Sequence, residues 1–302
     1  MNYTDIQTFL TISSCVSLSK AAEELYISQP ALSHRLRNLE QELGIDLITR
    51  KKGVRTIELT EAGKNFIPIA KKWQALWEET EKIHSKTSNK SLSLATVDSL
   101  NIDFIPNLCT SLLSKEPNLH LSLMTLRSNM AYEALENGEI DLAFITNPHF
   151  FRKVQTIPIF EEEMKFICEV SSDYQEPLSP RQLDCADEIF IPWGNSFLIW
   201  HDYWFESRAN TKVILDNMHN LKYFLSLPNT WSIVPSSIAR FLLEQGKFRT
   251  VAMQDAPEPR SCYAIVENQR KTEPLIQKVI EKLLDIAEQT KNITIIGEKY
   301  IH

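Results

Sequence analysis

The 302 residues predict an α/β chain in three parts: a small helical head closed by a hairpin, one long helix, and a larger region of alternating strands and helices. Three observations predict it. Apolar residues recur at spacings of three and four between Ala21 and Leu43, the period of short amphipathic helices. The same alternation runs from Phe66 to Ile83 without a glycine, which requires a single long helix. Beyond Leu92 short β-favouring runs alternate with helical segments, the pattern of strands joined by crossover helices.

In the head, Tyr3 to Ser13 forms a first helix with Ile6, Phe9 and Leu10 turned inward. A second short helix follows, its small face built from Ala21, Ala22 and Leu25 so that it can lie close to a neighbour. The third carries Ala31, Leu32, Leu36, Leu39 and Leu43 on one face. Ser28 is its expected N-cap, Pro30 is tolerated in the first turn because that N–H has no helical partner, and Gly44 marks the stop. The opposite face holds Gln29, Ser33, His34, Arg35, Arg37 and Asn38, donors of the kind a DNA major groove accepts. Taken alone, that face is equally a solvated one, since Glu40, Gln41 and Glu42 follow at once. What tips the reading is LITRKKGVRTIELT (47–60), two short β-favouring runs around a basic tip. Arg50, Lys51, Lys52 and Arg55 suit phosphate contact, which needs cations and no base-specific geometry.

Thr60 then caps the long helix, expected to reach about Ser85. Phe66, Ile69, Trp73, Leu76, Thr80 and Ile83 form a coiled-coil-like seam, widened by Trp77 and bent near Pro68. The head is too small to cover so long a stripe, so pairing with a second copy through Phe66, Ile69, Trp73, Leu76 and Ile83 is the better account. The polar KTSNKS (86–91) reads as a hinge.

Strands are expected at SLSLATV, HLSLMTL, IDLAFIT, MKFICEV, EIFIPW, KVILD, WSIVP and SCYAIV, in a mostly parallel sheet. Helices are expected over 103–113, 129–136, 196–208, 218–227, 236–243 and 273–289. In such sheets ligands sit beyond the carboxyl ends of strands, where helix N-termini offer free N–H groups. The expected lining is Asp98, Ser99, Leu100 and Asn101 after the first strand, Arg127 and Ser128 after the second, and Thr146 and Asn147 after the third. Facing them come Trp193, Gly194 and Asn195, with Pro228 to Trp231 at a later turn. A single hydroxyl in such a place is as readily a cap or turn residue as a ligand contact. Asp98 brings a negative charge, so an anionic ligand needs Arg127 or another cation.

The run from Phe9 through AAEELYISQPALSHRLRNLEQELGIDLITR to LTEAG (59–63) resembles the winged helix-turn-helix of the LysR-type transcriptional regulators. His34 stands where the family often has arginine, and Ile48 where it usually has phenylalanine. The resemblance places DNA contacts on Ser28, Gln29, Pro30, Ser33, His34 and Arg35, with Arg50 and Arg55 in the wing. It implies three regions: a DNA-binding domain over 1–59, a linker and dimerisation helix with hinge over 60–90, and a periplasmic-binding-protein-like effector domain over 91–302. That domain would have two α/β subdomains, 91–161 plus 267–302 and 162–266, with Ser99, Ser128 and Thr146 at effector positions. Partners implied are inverted-repeat double-stranded DNA, a small-molecule effector, a homodimer or homotetramer, and RNA polymerase.

Composition fits that expectation. The net charge of −7 divides into 13 Lys and Arg against 11 Asp and Glu in residues 1–90, and 19 against 28 in the remainder, so the acidity belongs to the second part. No run approaches a membrane span, and an acidic residue stands in MNYTDIQTFLTISS where a signal peptide needs a cation, which predicts a cytoplasmic protein. Five widely spaced cysteines predict reduced thiols. With seven glycines and no GxGxxG, GxxxxGK or GxSxG, nucleotide and hydrolase signatures are absent. The seven histidines show no HExxH or HxH, so neither enzyme, cofactor nor metal is predicted, and His201 is expected to decorate an amphipathic helix. The competing expectation is a solute-binding or catabolic protein with an incidental helical head, which predicts no salt-dependent duplex binding.

Overall fold

The computed structural model describes residues 1–49, 57–84, 90–205 and 210–297 and, within the helix ending at His84, the side chains through Trp77 together with Thr80. The chain divides into two compact units, one of Met1–Asn89 with Glu136–Glu139 and the other of Lys90–Leu135 with Ile140–His302.

The first unit begins with three capped helices. Asn2 caps α1 (Tyr3–Ser14), Ser17 caps α2 (Leu18–Glu24), and Ser28 caps α3 (Gln29–Leu43), each by accepting a backbone N–H three residues on. Gly44 closes α3 in the left-handed region, φ 70°. Ile6, Phe9, Ile12, Ala21, Ala22, Leu32, Leu36 and Leu39 bury together as their spacing requires, and each fully buried leucine contributes about 1.5–3 kcal/mol. Glu40, on the same helix, is buried with them: its Oε1 accepts the backbone N–H groups of Leu47 (2.9 Å) and Ile48 (3.3 Å) at the entry to the hairpin.

The hairpin's base is β1 (Ile48–Thr49) against β2 (Glu58–Leu59), antiparallel. Its expected basic tip, Arg50, Lys51, Lys52 and Arg55, lies outside the described residues. Thr60 accepts the Gly63 N–H (2.9 Å) and donates to Asp46 O (2.6 Å), starting α4 (Glu61–His84). Gly63 is needed there because a Cβ would stand 2.1 Å from the Leu47 carbonyl oxygen. The seam on α4 divides. Phe66 is buried in its own unit beside Phe9 (ring centroids 5.2 Å) and Trp73 packs half-buried on the same core, whereas Ile69 and Leu76 are 59% and 63% exposed. Phe66 is therefore a core residue, a correction to its place in a pairing seam. Ile83 lies outside the described side chains.

Among the described residues the second unit contains a six-stranded sheet, a three-stranded sheet and a two-stranded pair. β3 (Lys90–Thr96), α5 (Phe104–Lys115), β4 (Leu119–Thr125), α6 (Ser128–Glu136), β5 (Leu142–Ile145) and β6 (Val154–Glu162) build the first, and the chain then leaves it. β7 (Met164–Glu169), β8 (Ile189–Phe190), α7 (Asn195–Phe205), β9 (Val213–Ile214), α8 (Leu221–Phe224), β10 (Trp231–Pro235), α9 (Ser236–Leu243) and β11 (Phe248–Val251) build the second layer. β12 (Arg260–Glu267), α10 (Pro274–Glu288) and β13 (Ile293–Ile295) return to the first. The strand orders are β13-β6-β12-β5-β3-β4 and β10-β7-β11, with β8 paired to β9.

The first sheet alternates its faces. Leu92, Leu94, Leu142 and Phe144 pack under α5 and α10, while Ala95, Ala143 and Ile145 pack against Ala131, Tyr132 and Leu135 of α6. Two expectations are corrected. The sheet is mixed rather than mostly parallel, since β12 runs antiparallel to both β5 and β6. β12 thereby belongs to the first sheet, so the chain returns between Val251 and Arg260 rather than after residue 266. Among the described residues no helix is long and apolar enough to cross a membrane.

Candidate functional site

Each unit carries a candidate surface. On α3 the buried stripe of Leu32, Leu36 and Leu39 fixes the opposite face outward, leaving Ser28, Gln29, Pro30, His34, Arg37 and Asn38 exposed and Ser33 and Arg35 half-buried. The side chains organise one another along the helix. Arg37 Nε donates to Ser33 O (3.2 Å), Asn38 Nδ2 meets His34 Nδ1 (3.2 Å), and Ser19 Oγ of α2 donates to Gln29 Oε1 (3.2 Å). Tyr26, in the turn between α2 and α3, is 96% exposed at φ 54°. A tyrosine presented this way beside a cationic helix face offers a phenol hydroxyl to a phosphate. Local apolar periodicity gave no signal for it.

In the second unit the strand ends of the first sheet face the loops of the second layer, and polar groups bridge them. Asp98, in the turn after β3, accepts the Met218 N–H (2.8 Å) and stands 3.6 Å from His219 Nδ1. Arg127 pairs with Asp216 at 3.7 Å, both largely exposed. Gly194 (φ 122°) comes so close to Asn147 that a Cβ would stand 2.4 Å from Asn147 Oδ1. Ser128 is buried at the start of α6, and its Oγ accepts the Asn147 N–H at 3.3 Å. Thr146 is half-buried beside them. Asn101 donates to Thr125 Oγ1 (2.7 Å), while its own Oδ1 is buried without a hydrogen-bond partner among the described residues.

Beneath these lies a charged network absent from the sequence expectations. Arg260, at the start of β12, and Glu162, at the end of β6, are 7% and 1% exposed and form an ion pair. Arg260 Nη1 donates to Ser99 Oγ (2.8 Å), and its guanidinium lies 5.1 Å from the centroid of the Trp193 ring. Glu162 Oε2 accepts from the backbone N–H (3.2 Å) and the hydroxyl (2.6 Å) of Ser237, in the first turn of α9. The carboxylate therefore sits at a helix N-terminus, where the helix dipole favours an anion. Ser99 and Trp193 thus share Arg260 as a partner. Trp193 is itself anchored by its Nε1–H, which donates to Ile233 O at 2.6 Å. Arg260 Nε is buried with no hydrogen-bond partner among the described residues. The chain holds both charges where it passes between the sheets.

Two predicted lining residues belong elsewhere. Leu100 is fully buried under α5 and α10, because its position in the turn after β3 points down into the core. Trp231 is also fully buried: it is the first residue of β10, stacks on Phe166 (5.7 Å) and donates to Asp184 O (3.0 Å). The five thiols are all less acidic than an ordinary cysteine, with burial the first cause at each; Cys185 is pushed up to about 12. None is thiolate-rich near neutral pH, the state oxidation and disulfide exchange require.

Comparison with known proteins follows the same division. Residues 3–64 match the model of the bacterial regulatory helix-turn-helix protein, lysR family, and residues 85–288 match the LysR substrate binding domain. Among curated relatives, the glycine cleavage system transcriptional activator homolog of Haemophilus influenzae is 26% identical over 95% of both chains. The Hca operon transcriptional activator HcaR of Escherichia coli is 22% identical, covering 83% of this chain and 88% of its own. Among solved structures, a full-length OxyR variant from Pseudomonas aeruginosa superposes with a TM-score of 0.67 at 18% identity, over 94% of each chain. Full-length CbnR complexed with its target DNA gives 0.66 at 17%, over 95% of this chain and 99% of its own.

Proposed function

The chain belongs to the LysR family of bacterial transcriptional regulators, with a helix-turn-helix DNA-binding domain and an effector-binding domain, and from that premise we propose how it works. The exposed face of α3 reads the major groove through Gln29, Ser33, His34 and Arg35, with Ser28 and Pro30 setting its first turn and Arg37 reaching phosphate. Arg50, Lys51, Lys52 and Arg55 contact the flanking backbone. The observation that carries this is a helix whose buried leucines leave Gln29, His34, Arg37 and Asn38 exposed and Ser33 and Arg35 half-buried on the opposite face, beside the exposed Tyr26.

Two copies pair through the exposed part of α4, around Ile69 and Leu76, and present two heads to an inverted repeat. Replacing both residues with glutamate should halve the mass seen by sedimentation; an unchanged mass would remove this seam. RNA polymerase is the further partner expected of such a regulator, acting in the cytoplasm.

A small molecule binds between the two subdomains of the second unit. Asp98, Ser99, Asn101, Arg127, Ser128, Thr146 and Trp193 surround that place, and Arg260 supplies the buried cation that Arg127, largely exposed, does not. Binding changes the balance between subdomain settings only if the molecule has different affinity for the two. A Ser128→Tyr variant should lose the effect of the effector on DNA binding while keeping its basal DNA affinity; an intact response would move the site elsewhere.

The whole reading is tested by binding to duplex from the region immediately upstream of the protein's own gene, across several salt concentrations. Selective binding that weakens steeply with salt supports it. Weak binding indifferent to sequence and salt favours a solute-binding protein with an incidental head.

A further inference from the structure

Outside the effector cleft, Glu188 and His201 are the carboxylate and the imidazole taken furthest from solvent among the described residues, at 1% and 0% exposure. Glu188 enters β8, and His201 lies in the middle of α7, walled by the rings of Phe190 (4.7 Å), Phe205 (4.9 Å) and Phe197 (6.0 Å). It decorates no solvated face. Glu188 Oε2 lies 2.6 Å from His201 Nε2 and 3.7 Å from the Sγ of Cys185, three residues earlier. The three donor atoms all fall within 4.8 Å of one another. Glu188 Oε1 and His201 Nδ1 are buried without a hydrogen-bond partner among the described residues, and Asp202 Oδ1 stands 3.9 Å from that nitrogen, beyond hydrogen bonding.

Two hydrogen bonds to one carboxylate oxygen account poorly for this arrangement, since Glu188 Oε1 and His201 Nδ1 stay buried with no hydrogen-bond partner among the described residues. We propose that Cys185, Glu188 and His201 form a binding site for a divalent transition-metal ion of the zinc class, with a fourth position open to water. A thiolate, an imidazole nitrogen and a carboxylate oxygen are the donors such an ion takes. Bonds of about 2.0–2.3 Å around a tetrahedral ion set neighbouring donors roughly 3.3–3.8 Å apart. The Cys185 to Glu188 separation already has that length, and the Glu188 to His201 hydrogen bond opens by about 1 Å or less as the ion replaces its proton. On binding, the thiol gives up its proton to solvent and the proton between Glu188 and His201 passes to His201 Nδ1, so the metal thiolate forms with net release of one H⁺. Cys185 is only half-buried, which leaves a route from solvent.

The position has a consequence for the cleft. β8 leads directly to Trp193 and Gly194, and α7 begins at Asn195, so an ion held by Glu188 and His201 ties together both roots of the loop that faces Ser99 and Asn147. The site itself stands independently of whether the cleft takes an effector.

The test is titration of the reduced, chelator-stripped full chain with cobalt(II), followed by the thiolate-to-cobalt charge-transfer absorption. One cobalt per chain should saturate it, and zinc(II) should displace it. Cys185→Ser should abolish the band while keeping the metal-free circular dichroism and melting temperature, and Glu188→Gln should weaken binding about tenfold or more. Cys109→Ser should leave it unchanged. Zinc should raise the melting temperature of the wild type and not that of Cys185→Ser. No band at equivalence in the wild type, or a band that survives Cys185→Ser or disappears in Cys109→Ser, overturns the assignment; because the wild-type titration decides first, it stands even if a variant fails to fold.

Discussion

The face of α3 and the floor of the effector cleft are both polar, but they are polar in opposite ways. On α3 the side chains are exposed, or half-buried at Ser33 and Arg35, and among the described residues their bonds run to near neighbours on the same or the adjoining helix, which leaves donors for an outside partner. In the proposed cleft Ser99, Glu162, Ser237 and Arg260 are buried and already engaged with one another between the two sheets. A surface that reads DNA gains from side chains that cost nothing to unpair. A site that must report a ligand gains from a network whose bonds are exchanged when the ligand arrives.

The comparison breaks most sharply at Glu162. Glu162→Leu leaves Arg260 buried without its counter-charge and should cost about 3–5 kcal/mol of stability, measured by urea unfolding of the full chain with the effector-domain transition followed separately. A loss under about 1 kcal/mol would mean the pair is hydrated and the cleft floor open. Next is the head's own core: Leu36→Ala should cost about 2–5 kcal/mol in the head transition, against less than about 0.5 kcal/mol for Arg37→Ala on the exposed face of the same helix. Similar costs for the two would contradict the assignment of faces. The smallest effect belongs to Glu116, whose carboxyl is held below its usual range by Lys278 and Lys90. Its contribution is present above the ordinary carboxylate value and fades as pH falls through the lowered one. Glu116→Gln should therefore matter only slightly near neutral pH, less in high salt and not at all in acid; a large loss at neutral pH would mark these surface ions as structural.

The same contrast explains what the sequence made legible. α1 to α3 were readable because caps, a left-handed glycine and leucines at three and four are local signals, and α9 was found at its observed limits, Ser236–Leu243. The nine-residue β6 was hidden by Pro158, which reads as a strand breaker. In the fold Pro158 sits where the register against β12 slips between Cys262 and Tyr263, so the N–H it lacks falls at a bulge; the adjacent Ile159 carbonyl accepts the N–H groups of Ile296 and Gly297. Trp231 was misplaced because the turn before it suggested a cleft mouth, whereas every residue of β10 is buried. The ion pair of Glu162 and Arg260 joins residues 98 apart in sequence, and no periodicity carries that separation. His201 was read from α7 alone; only the arrival of Glu188 from another element shows which way it faces.

The most direct test of the account is the affinity of Arg35→Ala for the duplex upstream of the gene and for a scrambled duplex of equal length, at one salt concentration. Contact with a base edge predicts a loss of about 1–3 kcal/mol on the upstream duplex and little change on the scrambled one. Equal losses on both would contradict base reading by α3 and leave Arg35 holding phosphate alone.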